Sequence, residues 1–128
     1  MSTDQSRTME QIAEIFSFDK LRASKGGKFY FTFHLKPSMY DTPIEALELS
    51  VRAYYSLKRV GLDTIGKLAD AIESGVEIKN IRNCGAKTSR EIMGRMFLYQ
   101  YSILPQEKRG FYISEVKDLN VRRNKYLN

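Results

Sequence analysis

Cysteine and histidine are nearly absent: Cys84 and His34 stand alone in 128 residues. A single cysteine excludes an internal disulfide framework and fits a reducing compartment. Its side chain reads as a small buried hydrophobe rather than a nucleophile. One cysteine and one histidine cannot assemble a zinc site of the usual kind. A Ser-His-Asp triad would have to use His34, and nothing around that residue is arranged for it. No metal, cofactor or enzymatic chemistry is therefore expected. Long hydrophobic runs are also missing, and no segment approaches the roughly 20 apolar residues of a membrane span. The opening MSTDQSRTMEQIAE is too polar for a signal peptide. These absences point to the cytoplasm and to no membrane partner.

A dense basic block is missing as well. The net charge is +6, but it is spread along the chain. Residues 1–42 carry a net +1, residues 43–104 a net +2 from nine basic and seven acidic side chains, and residues 105–128 a net +3. An anionic partner of the middle segment would be held by a few placed residues and not by a broad positive field.

What is present reads as three segments: 1–42, 43–104 and 105–128. In the first, Thr8 and Gln11 form a capping-box pattern ahead of a helix over about Met9–Ala23 with an apolar stripe. SKGG breaks that helix. KFYFTFHLK then alternates strictly, with Phe29, Phe31, Phe33 and Leu35 on one face, and predicts a half-buried strand ended by Pro37. Pro37 and Pro43 bracket a boundary or hinge at Ser38–Thr42. In the second segment, Ser50 is placed to cap a helix from Val51 to about Val60. Gly61 is placed to end that helix in a left-handed conformation. Asp63 or Thr64 caps a helix from Ile65 to about Glu73, which Ser74-Gly75 ends. VEIKNI is a short turn or helix, and the longest helix runs from about Lys87 to Ser102 until Pro105 stops it. The third segment is a basic tail with a fraying end and no clear periodicity. The fold class is mainly α: a compact bundle of short helices, with an N-terminal helix and one strand.

Ile81-Arg-Asn-Cys-Gly-Ala-Lys-Thr-Ser-Arg-Glu-Ile92 has the form of the second half of a helix-hairpin-helix. The first amides of a helix lack internal partners and carry partial positive charge. A glycine lets a phosphate approach them, Lys87 adds a full charge, and the Thr88 hydroxyl adds a donor, which together make an anion seat. A second reading stands beside this one: Thr88 and Glu91 are three apart and form a capping box, with Gly85 serving only the turn.

LELSVRAYYSLKRVGLDTIGKLAD followed by NCGAKTSREI resembles the C-terminal domain of the bacterial RNA polymerase alpha subunit, over about Leu47–Leu104. FTFHLKP and PIEALELS resemble that domain's lead-in. The resemblance implies a bundle of short helices with helix-hairpin-helix elements, binding the minor groove of A/T-rich duplex DNA and docking transcription regulators. It implies DNA contacts at Arg52, Tyr55, Ser56, Gly85, Lys87, Thr88 and Glu91, with Arg52 inserted in the groove. Narrow A-tract grooves concentrate negative potential and favour an inserted arginine. Without the resemblance, Arg52 reads as a solvated helix residue paired with Glu48. The sequence departs from the family where Tyr55 and Ser56 replace asparagine and cysteine, and where Ala86 replaces a lysine. The expected protein is a free-standing, non-enzymatic relative in the bacterial cytoplasm or nucleoid. Duplex DNA is its expected partner; a regulator, a sigma factor or RNA polymerase is the alternative.

Overall fold

The computed structural model describes residues 30–123. The expected helix over Met9–Ala23, the start of the expected strand and the last five residues lie outside the described residues. The chain divides into two compact units, residues 33–103 and a second that includes residues 30–32 and 104–123.

The first unit holds three helices, α1 (Val51–Arg59), α2 (Ile65–Glu73) and α3 (Gly85–Ile103), with 3-10 turns at Pro37–Met39, Ile44–Leu47 and Ile78–Asn80. α1 and α3 pack together, and α3 also packs on the turns at Ile44–Leu47 and Ile78–Asn80. Ile44, Leu57, Ile65, Leu68, Ile92, Met96 and Phe97 are essentially fully buried. Burial of each stabilises the unit by about 1.5–3 kcal/mol relative to exposure.

Short helices need their ends closed, and the residues that close them were visible in the sequence. The Ser50 side chain accepts from the Ala53 N–H at 3.3 Å, and Thr64 Oγ1 accepts from the Lys67 N–H at 3.2 Å. Gly61 and Gly75 have φ of +79° and +95°. At each, the two following amides turn back on the helix: Gly61 N–H to Lys58 O and Leu62 N–H to Leu57 O, then Gly75 N–H to Ile72 O and Val76 N–H to Ala71 O. Both are Schellman closures, which need the left-handed residue that glycine adopts without a Cβ clash.

The stretch expected as a hinge is fixed within this unit. Tyr40 O accepts from the Gly66 N–H at 3.0 Å and Thr42 O from the Ile65 N–H at 2.8 Å, so the loop caps α2. The loop lies so close that a Cβ on Gly66 would stand 2.6–2.8 Å from Tyr40 Cδ2, O and Cα.

The expected strand is not formed among the described residues: Tyr30–Lys36 pairs with no other strand. Its alternation survives only in part, with Phe31 buried, His34 and Lys36 exposed, and Tyr30, Thr32, Phe33 and Leu35 all half-buried. Side chains replace the ladder. In the first unit the His34 N–H donates to Gln100 Oε1 at 2.8 Å.

The second unit corrects the reading of residues 105–128 as a tail, because Gln106–Arg123 forms helix α4. Tyr112, Ile113, Val116 and Asn120 are its buried residues. Asn120 grips Tyr30 by both backbone groups: the Tyr30 N–H donates to Oδ1 at 2.7 Å, and Nδ2 donates to Tyr30 O at 2.6 Å. The Tyr112 hydroxyl donates to Thr32 O at 2.7 Å, and burial pushes that hydroxyl's pKa up.

Gly66→Ala must displace the Tyr40 backbone and should lower the stability of the first unit by about 1–3 kcal/mol in urea unfolding. Gly110→Ala meets open space inside α4 and should instead raise helix stability by up to about 1 kcal/mol.

Candidate nucleic-acid interface

The site is built where α1 meets the hairpin that leads into α3. Asn83 and Gly85 take left-handed backbone conformations, φ +67° and +63°, which turn the backbone from the Ile78–Asn80 turn into α3. Asparagine tolerates this region better than most residues, and glycine does so freely. No Cβ contact within the protein constrains Gly85; its positive φ is what favours glycine there.

α3 begins at Gly85, three residues before Thr88. Thr88 therefore lies inside the helix and is largely buried. Glu91 is also engaged elsewhere: its Oε2 accepts from the Ser50 N–H at 2.6 Å and its Oε1 from the Ser50 hydroxyl at 2.7 Å. The Thr88–Glu91 capping box is thus not formed, because the helix starts too early for Thr88 to cap it and the carboxylate closes α1 instead. Among the described residues, no acceptor takes the backbone N–H groups of Gly85, Ala86 or Lys87. The amides at the start of α2 are filled by Thr42, Tyr40 and Thr64, whereas the start of α3 is open. The first turn of α3 holds no acidic residue, and Lys87 is exposed there.

Arg52 is exposed on the first turn of α1. Its Nε donates to Asn83 O at 3.2 Å, so the guanidinium rests on the hairpin. The pairing with Glu48, the alternative reading of Arg52 without the resemblance, does not form. Ser56 is fully buried, and its hydroxyl faces Arg52 O at 2.8 Å and Asn83 O at 3.3 Å. It ties α1 to the hairpin. Tyr55 is 53% exposed. Its ring meets that of Tyr54 edge-on, with centroids 5.1 Å apart. Tyr54 donates its hydroxyl to Glu45 at 2.7 Å, which raises the tyrosine pKa and lowers that of Glu45. Cys84 is buried in the hairpin, and desolvation raises its pKa against the pull of Arg52.

The structure therefore brings together Arg52, Ser56, Gly85 and Lys87 around one hairpin. Tyr55 stands exposed on α1, and Thr88 and Glu91 face inward or toward Ser50. Sequence reasoning missed two participants. Ser50 appeared only as a cap, and its bond to Glu91 needed the fold to be seen. Asn83 acts through its carbonyl; its side-chain type hinted only at the left-handed turn. Among the described residues no group of histidine, cysteine and carboxylate side chains could hold a metal, and no helix is long and apolar enough to cross a membrane.

α1 and α3, tied across the hairpin by Arg52 and Ser56, define a small helical domain with an exposed arginine beside an unfilled helix start. The family described as the C-terminal domain of the bacterial RNA polymerase alpha chain matches residues 33–96. The protein belongs to this family, which is one of the transcription machinery. Its relatives are DNA-directed RNA polymerase alpha subunits. That of Rubrobacter xylanophilus is 49% identical over 63 residues, covering 49% of this sequence and 20% of the relative. That of Dehalococcoides mccartyi strain CBDB1 is 29% identical over 118 residues, covering 91% of this sequence and 34% of the relative. That of Mycoplasmoides gallisepticum is 52% identical over 57 residues, covering 44% and 17%. The match thus spans about a third or less of the length of these relatives. No solved structure matches it significantly.

Cys84 offers a direct check on the hairpin. The native protein should react with a thiol reagent far more slowly than the urea-unfolded protein, because the thiol is both buried and held protonated. Equal rates would mean that the hairpin is open.

Proposed function

We propose that this protein binds the minor groove of A/T-rich duplex DNA in the service of transcription, without catalytic activity, in the bacterial cytoplasm or nucleoid. The observation that carries the reading is the pairing of an exposed Arg52 on the hairpin with the unfilled amides at the start of α3. Backbone amides and a lysine at a helix start suit a phosphate. A guanidinium beside them suits the narrow groove of an A-tract. In this reading Gly85 gives the phosphate room, Lys87 supplies charge, and Arg52 reads groove shape. Thr88 adds at most its backbone amide and a shallow hydroxyl, because its side chain is largely buried.

A second reading is favoured by Val51 and Tyr55. They stand one turn apart on α1 and are 74% and 53% exposed. Such a pair suits a protein partner, such as a transcription regulator, a sigma factor or RNA polymerase itself.

Titration with A/T-rich and G/C-rich duplexes at two salt concentrations separates the two. DNA binding should be weak, with Kd of about 10⁻⁴ to 10⁻⁶ M, because few phosphates are contacted. It should weaken with salt and favour A/T-rich DNA. Absence of binding at low salt would leave the protein-partner reading.

Arg52→Ala should cost about 1–3 kcal/mol of binding and shrink the preference for A/T-rich DNA. Lys87→Ala should weaken all duplexes alike and lower the salt slope by about one. Equal losses of preference in both variants would remove the division of labour between the two residues.

A further inference from the structure

We infer that Arg90, on the second turn of α3, is a phosphate-binding residue: it holds the DNA backbone at the phosphate next to the one taken by Lys87. The inference rests on the DNA-binding reading and adds a residue that neither the hairpin pattern nor the resemblance implies.

The charge of the middle segment is divided along the sequence. Residues 43–77 carry four basic and six acidic side chains, a net −2, whereas residues 78–104 carry five basic and one acidic, a net +4. The five cations are Lys79, Arg82, Lys87, Arg90 and Arg95, and all are exposed. The one acid is Glu91, and Ser50 takes both of its oxygens. The positive charge of this segment is therefore carried by the hairpin and α3.

Arg90 differs from the other cations in its place on the helix. Residues three and four apart are neighbours on a helix surface, with Cβ atoms about 5–6 Å apart. Toward the start of α3 the neighbours of Arg90 are Lys87 and Ala86, both exposed. Helical side chains lean toward the N-terminus, so Arg90 leans past the bare methyl of Ala86 toward the unfilled amides. In the other direction its neighbours are Met93 and Gly94, so no carboxylate stands at pairing distance along the helix. Among the described residues Arg90 makes no hydrogen bond or ion pair. Lys67, by contrast, is held by Asp63 at 3.1 Å, and the Nε of Arg52 is taken by Asn83 O. An unengaged guanidinium presents a planar fork of donors that matches a phosphate.

Arg95 supplies the comparison within the same helix. It points about 140° round the axis from Arg90 and lies about 12 Å beyond Lys87 along it. At 0.1 M salt that separation exceeds the screening length of about 10 Å. A contact made by Arg90 and a general attraction to a basic surface therefore give different results.

Arg90→Gln and Arg95→Gln each remove one charge from α3. The test titrates the intact protein, wild type and both variants, with A/T-rich and G/C-rich duplexes over a series of salt concentrations, and records the melting temperature of each. Arg90→Gln should lower the slope of log affinity against log salt by about 0.9, the value for one phosphate on B-DNA. It should weaken both duplexes by the same factor, so that the preference for A/T-rich DNA holds. Arg95→Gln should keep the wild-type slope. Arg90→Lys, which keeps the charge, should restore the slope. Arg90→Ala should read as Arg90→Gln does and serves if that variant does not fold. An unchanged slope in Arg90→Gln would overturn the inference and leave Arg90 a solvated side chain. Equal falls in Arg90→Gln and Arg95→Gln would overturn it in favour of a general positive field. Failure of the wild type to bind any duplex would remove the DNA-binding reading and this inference with it.

Discussion

A nine-residue helix has four amides at its start and four carbonyls at its end without internal partners, so closing those ends is the constraint on which the first unit depends. α1 is closed at its start by Ser50, backed by Glu91, and at its end by the Gly61 turn. α2 is closed by Thr64 and by two carbonyls of the loop before α1, then by the Gly75 turn. Two of these closures also join elements to one another: Glu91 of α3 backs the start of α1, and the Tyr40 and Thr42 carbonyls of the preceding loop cap α2. α3 is long enough to be held along its length by Ile92, Met96 and Phe97, and its start does not need a cap to survive. That spare end is what the hairpin presents beside Arg52.

The weak net charge of this segment is consistent with such a site. Several carboxylates are already occupied: Glu45 by the Tyr54 hydroxyl, Asp63 by Lys67 at 3.1 Å, and Glu91 by Ser50. The hydrogen bond from its partner lowers the pKa of both Glu45 and Asp63. Lys87 has no acidic neighbour in the first turn of α3.

Elements governed by local signals were legible in the sequence. Ser50, Thr64, Gly61 and Gly75 punctuate α1 and α2 to within a residue, since a cap and a left-handed turn are properties of a few adjacent residues. The family likeness rested on the same stretch. What depends on distant partners was not legible. The alternation of Phe29 to Lys36 matched burial at Phe31 and exposure at His34 and Lys36, whereas Tyr30, Thr32, Phe33 and Leu35 are all half-buried. It did not reveal that the segment bonds to side chains from 66 to 90 residues away in place of a neighbouring strand. α4 was missed because its inner face includes a buried asparagine, which breaks the apolar period. One of the two readings of Glu91 made it half of a local box, three residues from Thr88, when its hydrogen-bond partner Ser50 is 41 residues away.

The grip of Asn120 on Tyr30 also fixes an order of assembly. The side-chain amide stands in for a neighbouring strand, but it lies 90 residues further along the sequence. Residues 33–103 are all made before Asn120 is, and every cap described for that unit lies within them. The unit containing Tyr30 must wait, with its backbone groups bonded to water, until translation has passed the last turn of α4. Contacts of such long sequence separation form late. A polypeptide released just beyond residue 103 would therefore carry the complete hairpin site on a protein whose second unit could not assemble.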